Sequence, residues 1–262
     1  MYAFDFARPT TIAEAADALA QSGAQALGGG QTLIPTLKQR LASPAVLVSL
    51  TMIPEMQGVC LTDGGALAVG GATSHTDVAA QARAHYPALA DLAAHIGDPA
   101  VRNRGTVGGS LANNDPSACY PAAALASAAS IITQNRTIAA DDYFQGMFTT
   151  ALTEGEIITE VRFAIPLRAS YQKFLQPASR FALTGVFLAK YAGGVRVAVT
   201  GASESGVFRW AEAEAALSVH YSATAIEGLT VSPEGMIGDL HGTPDYRAHL
   251  VKVMTKRAVA AS

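Results

Sequence analysis

The stretch from Thr106 to Pro121, which reads TVGGSLANNDPSACYP, constrains the chain more than any other. The paired glycines Gly108 and Gly109 lack a Cβ atom, so their backbone can approach a ligand closely and adopt positive φ. Hydroxyl and amide side chains surround the pair, and one carboxylate, Asp115, follows it. Such a segment suits a ligand with phosphate and hydroxyl groups. The alternative is a tight turn between two packed elements.

Another glycine-rich stretch, the first in chain order, lies near the start of the sequence. Leu27 is followed by Gly28, Gly29 and Gly30, and then by a helical pattern that extends to about Leu41. A glycine loop that leads into a helix presents unpaired N–H groups and the positive end of the helix dipole, which is the form of a pyrophosphate site. The spacing is neither that of a P-loop nor that of a Rossmann fingerprint.

The two stretches together resemble one protein family. The first, GGGQTLIP from Gly28 to Pro35, resembles the family loop AGGHSLLP. The second, IGDPAVRNRGTVGGSL from Ile96 to Leu111, resembles the family motif IRNRGTIGGSL. The family is that of the FAD-binding medium subunits of carbon monoxide dehydrogenase and xanthine dehydrogenase, the molybdenum hydroxylases. The likeness extends from Phe4 to the last predicted helix.

The resemblance implies an FAD site with a defined set of contacts. Gln31 stands where many relatives have histidine, the residue that some related flavoproteins use to attach flavin, so attachment at this position is excluded and FAD is expected to be non-covalent. The two glycine stretches are implied to hold the pyrophosphate, polar positions to lie near the phosphates and ribose, and an apolar residue and a lysine to lie at the flavin ring. The implied pyrophosphate residues are Gly28, Gly29, Gly30, Gln31, Thr32 and Leu33 in one stretch and Thr106, Gly108, Gly109 and Ser110 in the other. The implied polar positions near the phosphates and ribose are Asn113 and Asp115, and the implied residues at the flavin ring are Ile158 and Lys173.

Two positions depart from the family pattern. Cys119 stands where the family usually has aspartate before Tyr-Pro, and Arg180 stands near a position where relatives often carry aspartate. A carboxylate accepts hydrogen bonds from ribose hydroxyls far better than a thiol does, so the departure at 119 weakens the expected adenosine-side contact. From the residues alone, Lys173 fits a solvated lysine and Ile158 fits a core residue equally well.

Composition limits the classes of function. The chain has 262 residues and is 50% hydrophobic, so it can bury a sizeable core. Its net charge is −3 and it has no basic block, so the sequence gives no indication of nucleic-acid binding. No apolar run suits a membrane span and no export signal begins the sequence, which predicts a cytoplasmic protein. Cys60 and Cys119 are predicted to be free thiols, and two thiols cannot by themselves hold an iron–sulfur cluster.

Hydrophobic periodicity and turn residues predict an α+β fold in three parts. Residues 1–53 read as β-α-β-α-β, which gives a small parallel sheet. Residues 54–165 read as a larger mixed α+β subdomain, and residues 166–262 as an antiparallel sheet with helices. The resemblance implies the same partition, with a two-subdomain FAD-binding domain at 1–165 followed by a C-terminal domain.

The same patterns place the elements within these parts. The predicted strands lie at 24–27, 46–50, 59–61, 66–69, 131–133, 157–163, 181–191 and 195–201. The predicted helices lie at about 11–19, 33–41, 76–85, 87–96, 120–126, 209–217 and 243–260.

No set of side chains has the spacing of a metal site or a catalytic triad. His75, His85 and His95 recur at regular intervals, which indicates surface or capping histidines rather than ligands. Ser74, His75 and Asp77 lie close in sequence, but the Gly-x-Ser-x-Gly elbow of a hydrolase is absent. We therefore assign no catalytic residue and no metal ligand.

The resemblance implies an electron-transfer subunit with two partner chains. A large molybdopterin subunit would oxidise the substrate, and a small subunit with two [2Fe-2S] clusters would relay electrons to FAD, which would pass them to a terminal acceptor. The complex is expected to be a dimer of heterotrimers, and this chain does not specify its substrate or acceptor. Two alternatives stay open: a stand-alone flavin oxidoreductase with its own substrate pocket, and a flavin-free assembly protein that keeps only the fold.

Overall fold

The computed structural model describes all residues from Met1 to Ser262. The first part alternates as predicted, with the elements β1 (Asp5–Ala7), α1 (Ile12–Leu19), β2 (Ala24–Leu27), α2 (Leu33–Lys38) and β3 (Val46–Ser49). The strands form a parallel sheet in the order β1-β3-β2. Val48 of the central strand belongs to one buried cluster with Ala15 and Leu19 of α1, so this helix covers one face of the sheet.

Helix α2 ends at Lys38, before the predicted end near Leu41. Arg40 has a φ of 60°, and the N–H groups of Arg40 and Leu41 donate to the carbonyl oxygens of Leu37 and Thr36. These bonds form a Schellman cap, in which the left-handed position usually holds glycine. An arginine at that position gives no sequence signal for a helix end, which is why the predicted helix is too long.

The middle part consists of an antiparallel sheet and six short helices. In chain order its elements are β4 (Val59–Leu61), β5 (Leu67–Gly70), α3 (His75–Gln81), α4 (Pro87–Ala94), α5 (Pro99–Arg102), α6 (Val107–Asn113), α7 (Tyr120–Ala126), β6 (Ser130–Thr133), β7 (Thr137–Ala139), α8 (Ala140–Tyr143), β8 (Phe144–Gly146), β9 (Thr149–Thr150) and β10 (Ile158–Phe163). The sheet order is β4-β5-β10-β6-β7, and β8 pairs only with β9. Val161 and Phe163 of the central strand β10 are fully buried.

Two predicted helices in this part are longer than the observed ones, and three observed helices, α5, α6 and α8, were not predicted. α3 ends at Gln81 rather than at His85, and the residues that follow form a turn leading to Pro87 at the start of α4. α4 ends at Ala94 rather than at 96. The short helices α5 and α6 fall within the glycine-bearing motif at 96–111, where the sequence indicates only a loop.

The last part is a four-stranded antiparallel sheet with two helices. Its elements are β11 (Arg168–Leu175), β12 (Ala182–Tyr191), β13 (Gly194–Ser203), β14 (Gly206–Arg209), α9 (Ala211–Val219) and α10 (Pro244–Ala261). The strands pair in chain order, and the predicted hairpin of β12 and β13 is confirmed. β11 and β14 were not predicted, since β11 is rich in polar residues and only Ser170 in it is buried.

The C-terminal sheet packs on both of its faces. Phe187, Ala189 and Ala198 share a core with α7 and the middle part, whereas Val186 and Val197 share a second core with α9 and α10. The predicted α+β fold class is therefore confirmed: a small parallel sheet, a larger mixed part and a C-terminal antiparallel sheet with helices. None of the helices combines the length and the apolar character needed to traverse a bilayer.

Candidate functional site

A cavity of about 690 Å³ lies where the three parts of the chain meet. Its wall is built from the β2–α2 connection, from α6 and the residues that follow it, and from strands β10 and β11. Every residue that the resemblance assigns to the cofactor lines this cavity, namely Gly28, Gly29, Gly30, Gln31, Thr32, Leu33, Thr106, Gly108, Gly109, Ser110, Asn113, Asp115, Ile158 and Lys173. The fold thus brings the two glycine stretches to one site.

The first glycine stretch, Gly28 to Leu33, forms the connection between β2 and α2. None of its backbone N–H groups donates a hydrogen bond within the chain. Gly30 has a φ of 73°, a left-handed value that glycine adopts without strain, and Nε2 of Gln31 donates to the carbonyl oxygen of Gly29 at 3.1 Å. A run of free N–H groups on one side of a cavity is a binding surface for an anion.

Two glycines of the first stretch are required because the backbone at Arg104 and the side chain of Thr106, at the start of the second stretch, pass directly against them. A Cβ atom on Gly29 would lie 1.8 Å from the carbonyl oxygen of Arg104, and one on Gly28 would lie 2.7 Å from Oγ1 of Thr106. A side chain at position 29 would therefore push the two stretches apart, since neither backbone can make room locally. These glycines serve the packing of the site as well as its free N–H groups.

The second glycine stretch, Thr106 to Asn113, is a capped helix rather than a loop. Thr106 is the N-cap of α6, and its Oγ1 accepts the N–H of Gly109 at 3.1 Å. The N–H of Gly108 donates to the carbonyl oxygen of Gly71 at 2.8 Å. Neither Gly108 nor Gly109 has a positive φ. The expectation that this pair adopts left-handed geometry to expose its backbone to a ligand is therefore wrong.

Close backbone contacts continue from this helix to strand β10. A Cβ atom on Gly108 would lie 2.6 Å from the carbonyl oxygen of Gly71, and one on Gly71 would lie 2.0 Å from that of Ile158. Ile158 is only 4% exposed and belongs to the main core, and it also lines the cavity. Ile158 is therefore a core residue that also lines the cavity.

The second stretch offers side chains to the cavity instead of backbone groups. The side chains of Ser110 and Asn113 form no hydrogen bond within the chain. One carboxylate oxygen of Asp115 accepts the N–H of Ser117 at 2.8 Å, which fixes the turn after α6. Asn114 is a structural residue: it ends α6 with a φ of 43°, and its Nδ2 donates to two carbonyl oxygens of the β8–β9 hairpin.

His75 lines the cavity, although its spacing predicts a surface or capping histidine. It is 4% exposed, and a Cβ atom on Gly105 would lie 2.5 Å from its Nε2. Burial, and then the charge of Arg102, lower the pKa of His75 to about 4, so the ring is neutral at pH 7. The neighbouring Ser74 is the N-cap of α3 and bonds Asp77, so it has no geometry of a nucleophile.

Glu156 is a second ionisable residue of the wall that the sequence does not single out. Nε of Arg136 donates to its carboxylate at 2.9 Å, and the N–H of Thr153 donates at 2.8 Å. The bond from Arg136, with those from Thr153 and Thr133, lowers the pKa of Glu156 to about 2. This carboxylate is therefore ionised and already paired, so it belongs to the framework of the site.

Lys173 connects the C-terminal sheet to two elements of the middle part. Its Nζ donates to the carbonyl oxygen of His95, beyond the end of α4, at 2.9 Å, and lies 3.5 Å from Sγ of Cys119 at the start of α7. Cys119 is 5% exposed and lines the cavity beside Lys173. Lys173 is therefore anchored at the wall and is not a freely solvated lysine.

Arg180, the other departure from the family pattern, does not line the cavity. It has a φ of 62°, and its N–H donates to the carbonyl oxygen of Gln176 at 2.9 Å, so it closes a turn between β11 and β12. This turn delivers the next residue, Phe181, to the cavity wall. Arginine 180 acts here through its backbone and forms no ion pair.

The residues present fit a large cofactor that contains a pyrophosphate. The cavity volume lies within the range of roughly 300–1,000 Å³ that is usual for cofactor sites. The first stretch offers free backbone N–H groups, the second offers the unpaired side chains of Ser110 and Asn113, and apolar residues such as Leu33 and Phe181 complete the wall. FAD fits this donor set. No group of three His, Cys, Asp or Glu side chains is arranged to hold a metal ion.

Comparison with known families supports the same cofactor. Residues 2–167 match the family described as the FAD binding domain in molybdopterin dehydrogenase. The chain is 30% identical to the carbon monoxide dehydrogenase medium chain of Hydrogenophaga pseudoflava, over 99% of this chain and 96% of that one. It is 31% identical to the nicotine 6-hydroxylase medium subunit of Paenarthrobacter nicotinovorans, over 98% and 96% of the two chains.

Solved structures agree in fold along the whole chain. Carbon monoxide dehydrogenase from Hydrogenophaga pseudoflava, in a form that lacks the Mo-pyranopterin moiety, superposes with a TM-score of 0.85 at 32% identity and covers 99% of this chain and 97% of its own. Quinoline 2-oxidoreductase from Pseudomonas putida 86 superposes with a TM-score of 0.87 at 28% identity, covering 99% and 96%.

Proposed function

Since the chain belongs to the family of FAD-binding medium subunits of the molybdenum hydroxylases, we propose that it receives electrons from [2Fe-2S] clusters of a small partner subunit and passes them to a terminal acceptor. In this proposal a large molybdopterin subunit oxidises the substrate. FAD, the cofactor of the family, supplies the redox chemistry when bound, and the chain's own residues position it and set its electrostatic surroundings.

The observation that carries the proposal is the run of free N–H groups from Gly28 to Leu33 at the cavity wall. A hydrogen bond to a charged group contributes roughly 1.5–3 kcal/mol, so several donors on one pyrophosphate give tight binding without a lysine. Ser110 and Asn113 of the second stretch add side-chain donors, and Gln31 leaves the cofactor non-covalent. Ile158 and Lys173 line the part of the wall that we assign to the flavin ring.

The proposal extends to the organisation of the chain and of the complex. We assign residues 1–165 to the FAD-binding domain and residues 166–262 to a separate C-terminal domain. The family match over 2–167 and the start of the C-terminal sheet at Arg168 support this boundary. The two partner subunits and the dimer of heterotrimers follow from the resemblance to medium subunits, and the unpaired Cys60 and Cys119 are in keeping with a cytoplasmic location.

An anaerobic experiment tests the electron route. The purified full chain, loaded with FAD, is mixed with carbon monoxide, a purine, an aldehyde and an N-heterocycle, and the absorbance of oxidised flavin is followed. We expect no bleaching with the chain alone, because in the proposal the large subunit oxidises the substrate and FAD receives electrons only from the clusters. Bleaching by one of the substrates should appear when the large and small partners are added.

Each alternative predicts a different result in the same experiment. A stand-alone flavin oxidoreductase would be bleached by its substrate without any partner. A flavin-free assembly protein would retain no flavin absorbance after gel filtration. Retention of FAD with bleaching only in the presence of both partners is the result that the relay subunit requires.

A further inference from the structure

The contact between Lys173 and Cys119 is unusual in its charges. Nζ of Lys173 has two neighbours, the carbonyl oxygen of His95 at 2.9 Å and Sγ of Cys119 at 3.5 Å. Both are uncharged acceptors, and Lys173 takes part in none of the ion pairs of the structure. The ammonium group is therefore held in place at the cavity wall without a counter-charge.

Neither carboxylate of the wall forms an ion pair with this ammonium. Glu156 is paired with Arg136, and the carboxylate of Asp115 accepts the N–H of Ser117 at the turn after α6. The groups beside the ammonium on the side of Cys119 are shielded from solvent, since Cys119 is 5% exposed and the hydroxyl of the neighbouring Tyr171 is buried with no partner. In such surroundings the effective dielectric constant is low, and an unpaired charge acts over a longer distance than in water.

We propose that Cys119 is a positioning residue which keeps Lys173 uncompensated and so holds the reduction potential of the bound FAD at a high value. The inference rests on the proposed function, because it requires FAD in this cavity with its ring near Lys173. Cys119, which contacts Lys173, then lies at the ring and not at the adenosine side that the family pattern implies. A fixed positive charge favours the uptake of electrons by the cofactor. An uncharged sulfur atom anchors that charge without cancelling it.

The structure also indicates what a carboxylate at position 119 would do. An aspartate there would lie beside Nζ of Lys173 and beside the unpartnered hydroxyl of Tyr171, so it would gain an ion pair and a hydrogen bond. These two partners offset the cost of burying the carboxylate, and we expect the variant to fold. The new negative charge would cancel the field of Lys173 at the cavity.

The experiment measures the midpoint potential of the FAD-loaded full chain by anaerobic spectroelectrochemical titration. Cys119→Asp is compared with Cys119→Asn, which has almost the same shape and no charge. Cys60→Asp is the second control, because it introduces the same charge at an exposed cysteine that lies outside the cavity. Lys173→Met removes the positive charge itself. FAD content and the melting temperature are recorded for each variant.

We expect Cys119→Asp and Lys173→Met to shift the midpoint potential to more negative values, while Cys119→Asn and Cys60→Asp stay at the wild-type value. Equal potentials for Cys119→Asp and Cys119→Asn would overturn the inference. If Cys119→Asp fails to fold, the Lys173→Met result decides. An unchanged potential in Lys173→Met would show that the charge of Lys173 does not act on the flavin, and the inference would be overturned. Failure of the wild-type chain to bind FAD would instead refute the proposed function, so the two failures are distinguishable.

Discussion

The two glycine stretches of the cavity have different structural roles. In the first stretch, Gly28 to Leu33, the backbone N–H groups have no partners in the chain and remain available to a ligand. In the second stretch, the N–H groups of Gly108 and Gly109 are bonded to Gly71 and to the cap Thr106, and only side chains remain available. A glycine pair at a binding site therefore need not present its backbone to the ligand.

The difference explains why the second stretch needs glycine at all. Gly108 allows α6 to begin against the backbone that follows β5, and Gly29 allows the first stretch to rest on the residues before α6. Together these contacts fix the two stretches relative to each other before any cofactor binds. The first stretch then supplies donors, and the second supplies the rigid support and two polar side chains.

The largest expected effect is at the contact between the stretches. Gly29→Val places a branched side chain where a Cβ atom alone would lie 1.8 Å from the carbonyl oxygen of Arg104. We expect loss of bound FAD and a loss of stability of about 3 kcal/mol, because the backbone must move to relieve the overlap. Neither Gly29 nor Arg104 belongs to the two main cores, so the fold should persist. Flavin content per chain and thermal unfolding measure the two effects.

The matched control for this variant is Gly64→Val, in a turn where an added Cβ atom has only Oγ1 of Thr62 at 3.9 Å. It should bind FAD as the wild type does. Stoichiometric, tightly bound FAD in Gly29→Val would show that the contact between the stretches is dispensable, and the comparison between them would then lose its basis.

A second prediction uses the buried histidine beneath the second stretch. The pKa of His75 is about 4 in the folded chain and about 6.5 in the unfolded one, so between these values only the unfolded chain takes up the proton. Above pH 6.5 this residue has no effect, and as the pH falls from 6.5 to 4 it should remove about 3 kcal/mol of stability. Urea unfolding at a series of pH values measures the slope.

His75→Gln should remove this part of the pH dependence while leaving the acid-induced loss due to Glu156, which occurs between about pH 4.5 and 2 as its carboxylate becomes protonated. If the slope of unfolding free energy against pH between 6.5 and 4 is the same in His75→Gln as in the wild type, His75 is hydrated in the folded chain. The packing of His75 against the residues before α6 would then be looser than the structure indicates.

The sequence predicts the first stretch well and the second poorly, for a physical reason. A glycine run between a short strand and a helix has few structural solutions, so the loop at Gly28 to Gly30 follows from local signals. Glycine is a weak helix former, and nothing in the sequence before Gly108 indicates that tertiary hydrogen bonds to Gly71 stabilise a helix there. Its role depends on a contact between distant parts of the chain.

Other misses have the same origin. Arg40 and Arg180 occupy left-handed positions at turns where glycine would have given a signal. The contact of Lys173 with Cys119 joins β11 to α7, and β11 itself was not predicted. The placement of His75 in the cavity also needs the tertiary structure, although the adjacent glycines at 70 and 71 mark a close backbone approach that could have drawn attention to this segment.

A smaller effect is expected for Gly108→Ala. Its Cβ atom would lie 2.6 Å from the carbonyl oxygen of Gly71, so α6 must shift and stability should fall by roughly 1–2 kcal/mol. Gly109→Ala is the matched variant, since its Cβ atom meets only the side chain of Thr106 at 2.9 Å and alanine favours the helix. Chemical denaturation should rank Gly108→Ala as the less stable of the two, and the reverse order would contradict the packing role of Gly108.

The smallest expected effect separates ligand contacts from packing within the second stretch itself. Ser110→Ala and Asn113→Ala remove side chains that form no hydrogen bond within the chain, so stability in the absence of FAD should change by less than about 0.5 kcal/mol. Each should weaken FAD binding by about 1 kcal/mol, which is roughly a fivefold rise in Kd measured by fluorescence titration. Asn114→Ala is the contrasting variant, because Nδ2 of Asn114 holds two carbonyl oxygens of the β8–β9 hairpin and its loss should lower stability directly. If Ser110→Ala and Asn113→Ala bind FAD as the wild type does, the second stretch contributes packing alone, and all polar recognition would belong to the free N–H groups of the first.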